Sequence, residues 1–244
     1  MYNRNGGQMF SKNYKEDDKM ENKDYRLPIS TYEEYLKNID YVTYGIITYF
    51  SNRTKADDDN DDSGELFRWV YKNKLIEKQE EIEKLSKNKF NTVMRNVRKL
   101  AKMDNNLVVA KNSDNGIIYY INYYHMPNGK FVIIHHEILR FLLNTYTNNA
   151  IKTYVFLKYR CLKGKTKISR EEIAEAIGLS PNSRNNLTAI SDITVGLNEK
   201  LIKRTYEYIT EINEETGKEQ IKRYCYYEVI DEEEVLKTIR EGRI

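Results

Sequence analysis

Residues 168 to 180, Ile168-Ser169-Arg170-Glu171-Glu172-Ile173-Ala174-Glu175-Ala176-Ile177-Gly178-Leu179-Ser180, carry the pattern that decides the fold. Ser169 is a good N-cap, and Glu171 and Glu172 lie where a helix presents its positive end. Ile173 and Ile177 stand four apart and face inward. The small Ala174 lets a neighbouring helix approach, and Gly178 supplies the backbone freedom for a sharp reversal. The spacing predicts a short helix that turns abruptly into a second one. Leu187, Ile190, Ile193 and Leu197 share one helical face, which places that second helix at Asn185 to Lys200. The connection Pro181-Asn182-Ser183-Arg184-Asn185-Asn186 is several residues longer than a tight turn.

Downstream, alternation over Arg204 to Ile212 and Gln220 to Ile230 around Glu215-Thr216-Gly217 predicts a long β-hairpin, and Asp231 opens a C-terminal helix through Arg240. Upstream, Phe131 to Ile134 reads as a strand, and Glu137 to Leu143 and Ile151 to Leu162 read as helices. The first half repeats the order. One apolar stripe runs from Tyr32 to Phe50; Leu66 to Tyr71, Ile76 to Leu85 and Asn91 to Met103 read as further helices. Leu107 to Ala110 and Ile117 to Tyr124 then flank an Asn115-Gly116 turn, a strong hairpin signal. Residues 1–28 are polar and aperiodic and are expected to form a disordered arm. The expected domains are 29–127, with an acidic loop at 56–63, and 128–244, with the C-terminal helix. The fold class is α+β, mostly helical.

Two helices are the candidates for function. In Asn91-Thr92-Val93-Met94-Arg95-Asn96-Val97-Arg98-Lys99-Leu100 the apolar positions face one way. The opposite face, with its flanks, carries Lys87, Lys89, Asn91, Thr92, Arg95, Asn96, Arg98, Lys99 and Lys102. Such a face suits DNA. Arg and Lys neutralise phosphates, and Arg and Asn bond bidentately to guanine and adenine edges. In the second half Ser183, Arg184, Asn185, Asn186 and Thr188 stand at the start of the second helix, and Lys165, Lys167 and Arg170 precede the turn. Lys111, Lys218 and Lys222 lie on the two hairpins, placed for flanking phosphate.

These stretches resemble a helix-turn-helix of the winged-helix branch, twice in one chain, with the hairpins as wings. Residues 131 to 202, with Asn148-Asn149-Ala150 leading into a long helix, resemble the replication initiators of plasmids and the replisome organisers of phages in low-GC Gram-positive bacteria. The resemblance implies sequence-specific binding of double-stranded DNA, at origin repeats. It is also compatible with a transcriptional regulator of a mobile element, or with an interaction module that recruits replication proteins. A homodimer and a replicative helicase or its loader are the protein partners it implies.

Other classes lack support in the residues. No stretch approaches the roughly 20 apolar residues of a membrane span, and Met1 to Lys23 contains no apolar run of a secretory signal, so a cytoplasmic location is expected. Cys161 and Cys225 cannot build a disulfide framework or a cysteine zinc site. His135 and His136 are adjacent and on a strand point to opposite faces, which disfavours a shared metal. No catalytic constellation and no cofactor is expected, and the tyrosines, 21 in number, alternate mostly within predicted strands where they pack.

Overall fold

A computed structural model describes residues 24–29, 37–53, 67–103, 107–122, 131–213 and 217–244. The acidic loop and residues 1–23 lie outside them. Within the expected disordered arm, Asp24–Pro28 is strand β1, so that expectation fails for its last five residues. The physical reason is a partner that lies far along the chain. β1 pairs antiparallel with a strand at 131–135, from Asp24 opposite His135 to Pro28 opposite Phe131, and Tyr25, Leu27 and Ile29 are buried.

Helix α1 (Tyr41–Tyr49) begins where the Asp40 carboxylate accepts the N–H groups of Val42 and Thr43. After β2 (Asn52–Arg53), residues Phe67–Tyr71 form strand β3 rather than the helix expected there. A five-residue run rich in aromatic and β-branched side chains has no period long enough to distinguish helix from strand. Tertiary pairing decides, with Trp69 opposite Tyr120 and Val70 opposite Tyr119. Helices α2 (Lys72–Glu77), α3 (Gln79–Ser86) and α4 (Phe90–Leu100) follow, then the hairpin β4 (Val108–Ser113) and β5 (Gly116–Asn122). Asp114 and Asn115 form its loop, and Gly116 takes φ +101°, which its lack of a Cβ permits. The sheet order is β2-β3-β5-β4, antiparallel throughout.

The second half begins with β6 (Phe131–His135), the partner of β1, and continues through α5 (His136–Thr145), α6 (Asn148–Arg160) and the short β7 (Thr166–Lys167). Helix α7 (Arg170–Ala176) is capped by the Ser169 hydroxyl, which accepts from Glu172 N–H at 3.0 Å. Gly178 follows with φ +83°. Helix α8 (Arg184–Leu197) starts at the Ser183 cap, one residue earlier than Asn185, and ends three before Lys200. Hairpin β8 (Ile202–Ile212) and β9 (Glu219–Val229) and helix α9 (Glu232–Arg240) complete the chain. The sheet order is β7-β9-β8.

The molecule is therefore α+β, with nine helices and small antiparallel sheets among the described residues. In both halves a strand precedes a run of helices, three in the first half and two in the second, and pairs with the second strand of the hairpin that follows them. The halves share one core. α1 packs on α4, α5 and α6, and at Gly45 it approaches α5 so closely that an added Cβ would stand 2.9 Å from Leu143 Cδ2.

Candidate nucleic-acid interface

Helix α4 buries Phe90, Val93, Met94, Val97 and Leu100, and α3 lays Ile82 and Leu85 into the same core. Each of these apolar side chains contributes on the order of 1.5–3 kcal/mol, so the helix is held by one face only. Its entry is rigid. Lys87 adopts φ +54°, Asn88 Nδ2 donates to Ser86 O at 2.9 Å, and the free Phe90 N–H donates to Glu83 Oε1 at 2.7 Å.

The other face is left to solvent. Asn91, Arg95, Arg98, Lys99 and Lys102 are exposed, as are Lys87 and Lys89 in the entry turn. Thr92 is half-buried. Asn96, counted with the exposed face from its sequence position, is half-buried too and donates from Nδ2 to Asp40 Oδ2 at 2.8 Å. Residues 84 to 103 hold seven basic side chains and no acidic one. Among the described residues, none of Lys87, Lys89, Arg95, Arg98, Lys99 and Lys102 forms an ion pair. Lys84, exposed on the last turn of α3, adds to this group and was not singled out from sequence. Burial pushes the Tyr119 phenol on β5 above its ordinary value, against an opposing pull from the Arg98 charge. On the adjoining hairpin the Lys111 ammonium lies 5.3 Å from the centre of the Tyr120 ring.

The second half treats its cations differently. Lys165 pairs with Glu207, Lys222 with Glu211 and Arg160 with Glu172, while Lys167 rests 3.1 Å over the Tyr224 ring. Arg170 donates to the Ser191 hydroxyl at 3.3 Å. At the start of α8, Ser183 is the cap, Asn186 Nδ2 donates to Ser180 O, and Thr188 Oγ1 donates to Arg184 O. Arg184 and Asn185 are exposed, and so is Lys218 beside the hairpin turn. Beyond its first turn the solvent side of α8 presents Thr188, Ala189, Asp192, Val195 and Gly196. Between residues 202 and 229 there are five basic and six acidic residues. Net positive charge is thus a property of α4 and its entry. Arg184, Lys203 and Lys218 also form no ion pair among the described residues, but α8 and its hairpin carry at least as many acidic as basic residues.

The two histidines do meet, contrary to the strand-based expectation. His135 ends β6 and His136 opens α5, so strand alternation stops between them and the ring centroids lie 4.3 Å apart. Together with Glu137 they place three potential ligand atoms within 4.8 Å of one another. Two of the three residues are already bonded within the protein. His135 Nδ1 accepts the Glu137 N–H at 3.3 Å, and Arg240 Nη2 donates to the Glu137 carboxylate at 2.6 Å. That bond holds the Glu137 carboxyl below the usual carboxylate range and ties α9 to α5.

Among the described residues no helix is long and apolar enough to cross a membrane. Comparison of the chain with protein-family models, with curated proteins and with solved structures gave no match.

Proposed function

We propose that the protein binds double-stranded DNA in a sequence-specific manner and that α4 is the helix that enters the major groove. In this reading each half is a winged helix-turn-helix module, with α3 and α4 as the first helix pair and β4–β5 as its wing. The observation that carries it is the unpaired basic face of α4. Arg95 and Lys99 are like charges four residues apart on the helix, and such a pair destabilises it by about 0.2–0.5 kcal/mol. The dipole at the helix C-terminus favours Arg98 and Lys99 but not Arg95 or the entry lysines, whereas a phosphate backbone would neutralise the whole stripe and release counterions. Arg95 and Asn91, one turn apart on the same face, are of the types that read guanine and adenine edges.

The second module takes a different part. Its helix α8 carries little positive charge, so the proposal assigns base reading to α4 and leaves α8 outside the groove. The resemblance of residues 131 to 202 to replication initiators extends the proposal to repeats at a plasmid or phage origin. No catalytic step and no cofactor belongs to it.

Fluorescence anisotropy with a labelled random duplex tests the first part. Binding at low salt that weakens steeply as salt rises is expected, with strong loss in Arg95→Ala/Arg98→Ala. Equal binding by that variant and the wild type would remove α4 from the interface. Footprinting on DNA upstream of the protein's own gene tests the second: an array of protected repeats supports origin binding, and a single operator opposes it.

A further inference from the structure

The hairpin β8–β9 is much longer than its support. Each strand has eleven residues, paired without interruption from Ile202 opposite Val229 to Ile212 opposite Glu219. At about 3.4 Å per residue it spans roughly 37 Å. Only its base is anchored: Ile202 and Tyr227 are buried, and β7 pairs with Tyr226 and Tyr227 alone.

Strand alternation divides the projecting part into two faces. One is dominated by its own polar contacts, with Ile209 38% exposed among them: Lys165 pairs with Glu207, Lys167 covers Tyr224, and Glu211 receives both Tyr224 and Lys222. The other face shows Tyr206, Tyr208, Thr210 and Ile212 from β8 beside Cys225, Arg223, Ile221 and Glu219 from β9. The tyrosines here are not packed as strand alternation led one to expect. Tyr208 is 69% exposed, Ile212 68% and Ile221 73%. The register sets Ile221 opposite Thr210, diagonally between Tyr208 and Ile212, so the three make one apolar patch. A contiguous exposed patch of this kind marks a contact surface.

The geometry points to a second copy of this chain as the occupant. Glu219 and Arg223 lie on the same face of β9, two residues to either side of Ile221. A two-fold axis passing between two such faces at Ile221 and Thr210, perpendicular to the strands, sets Ile221 on its counterpart. It also brings Arg223 of each copy to Glu219 of the other, and Tyr208 of each to Ile212 of the other. Every residue of the patch then meets a complementary one, as an isologous interface requires. Arg223 already lies over the Tyr206 ring, 4.7 Å from its centroid, which holds its guanidinium on this face. A nucleic acid fits less well. Ile212 and Ile221 offer no π-face for a base, and Glu219 repels phosphate.

Sedimentation velocity of the full chain without DNA is the test, on variants at exposed positions whose folding is checked by circular dichroism. The wild type is expected to self-associate reversibly. Glu219→Arg and Arg223→Glu each place like charges across the axis and are expected to weaken association roughly tenfold or more. An equimolar mixture of the two restores both opposite-charge pairs in a heterodimer, and the double variant restores them within one chain, so both are expected to associate as the wild type does. A wild type that stays monomeric at high micromolar concentration, single variants that associate normally, or a mixture that fails to associate would each overturn the proposal. Single-stranded DNA binding lost in Tyr208→Ala, with no self-association, would assign the face to nucleic acid instead. Because association is read without DNA, its failure leaves the α4 proposal standing, and the failure of α4 leaves it untouched.

Discussion

The Asn96 amide donates to Asp40 Oδ2 at 2.8 Å, joining the basic helix α4 to the N-terminus of α1 across 56 residues of chain. Asp40 is also the α1 cap and accepts the Thr43 hydroxyl at 2.5 Å. One carboxylate therefore caps one helix and orients another, and the side of α4 that contains Asn96 is committed to the protein. Asn96→Ala is expected to lower stability by about 1 kcal/mol, the usual net worth of such a bond, without changing base preference. Urea denaturation and a binding-site selection check the two halves of this statement. A changed base preference at full stability would return Asn96 to the reading face.

The contrast between the two sets of cations gives the second expectation. Replacing both Lys99 and Lys102 by Ala should make the salt dependence of duplex binding shallower, by about 0.9 for each phosphate the helix no longer neutralises. Lys167→Ala with Lys222→Ala should leave it unaltered, because Lys167 covers Tyr224 and Lys222 pairs with Glu211 within the hairpin. Anisotropy titrations at several salt concentrations decide between them, and equal slopes for the two variants would sink the assignment.

Gly178 lies in the left-handed region, and a Cβ built on it would stand 3.0 Å from Lys37 Cβ and 3.3 Å from Lys37 O. Gly178→Ala therefore meets backbone strain of about 1–2 kcal/mol and a steric conflict with a segment of the first half. The denaturation midpoint should fall by at least that equivalent. Unchanged stability would mean that the turn after α7 is free to move away from Lys37.

Lys152 is buried on α6, where its ammonium donates to Lys37 O. Burial pushes its pKa down, against an opposing pull from the Asp40 charge. Between that lowered folded value and the unfolded value near 10.4, the unfolded chain holds a proton that the folded chain has released. The contribution of Lys152 to stability should consequently rise with pH through that window, against the opposite contributions of the buried Cys161 thiol and tyrosines. Lys152→Met should lack that contribution, so the difference between the two proteins should change with pH in that sense. Denaturation curves at about pH 7 and about pH 9.5 test this, and parallel pH profiles for the two proteins would refute it.

Local signals were legible wherever neighbouring residues settle the backbone. Ser169 and Gly178 bracket α7, Asp231 caps α9, and the Asn115-Gly116 pair marks the β4–β5 turn, all within a few residues of the structure they determine. Strands β1 and β3 were not legible, because their partners lie at Phe131–His135 and Gly116–Asn122 and a short apolar run does not name its partner. The candidate interface divides in the same way. The basic stripe of α4 follows from helical spacing alone. The neutralisation of Lys165 by Glu207, 42 residues away, does not.

By itself the sequence determined the caps of α7 and α9, the turn of the β4–β5 hairpin, and which side of α4 is apolar, since each depends on caps, positive φ and a period of 3.6 residues. Only the tertiary structure decided which cations remain unpaired, that the two halves share one core, and that Tyr208, Ile212 and Ile221 stand out in solvent on a projecting hairpin. Charge compensation and burial are relations between residues distant in the chain, and no local pattern encodes the distance between them.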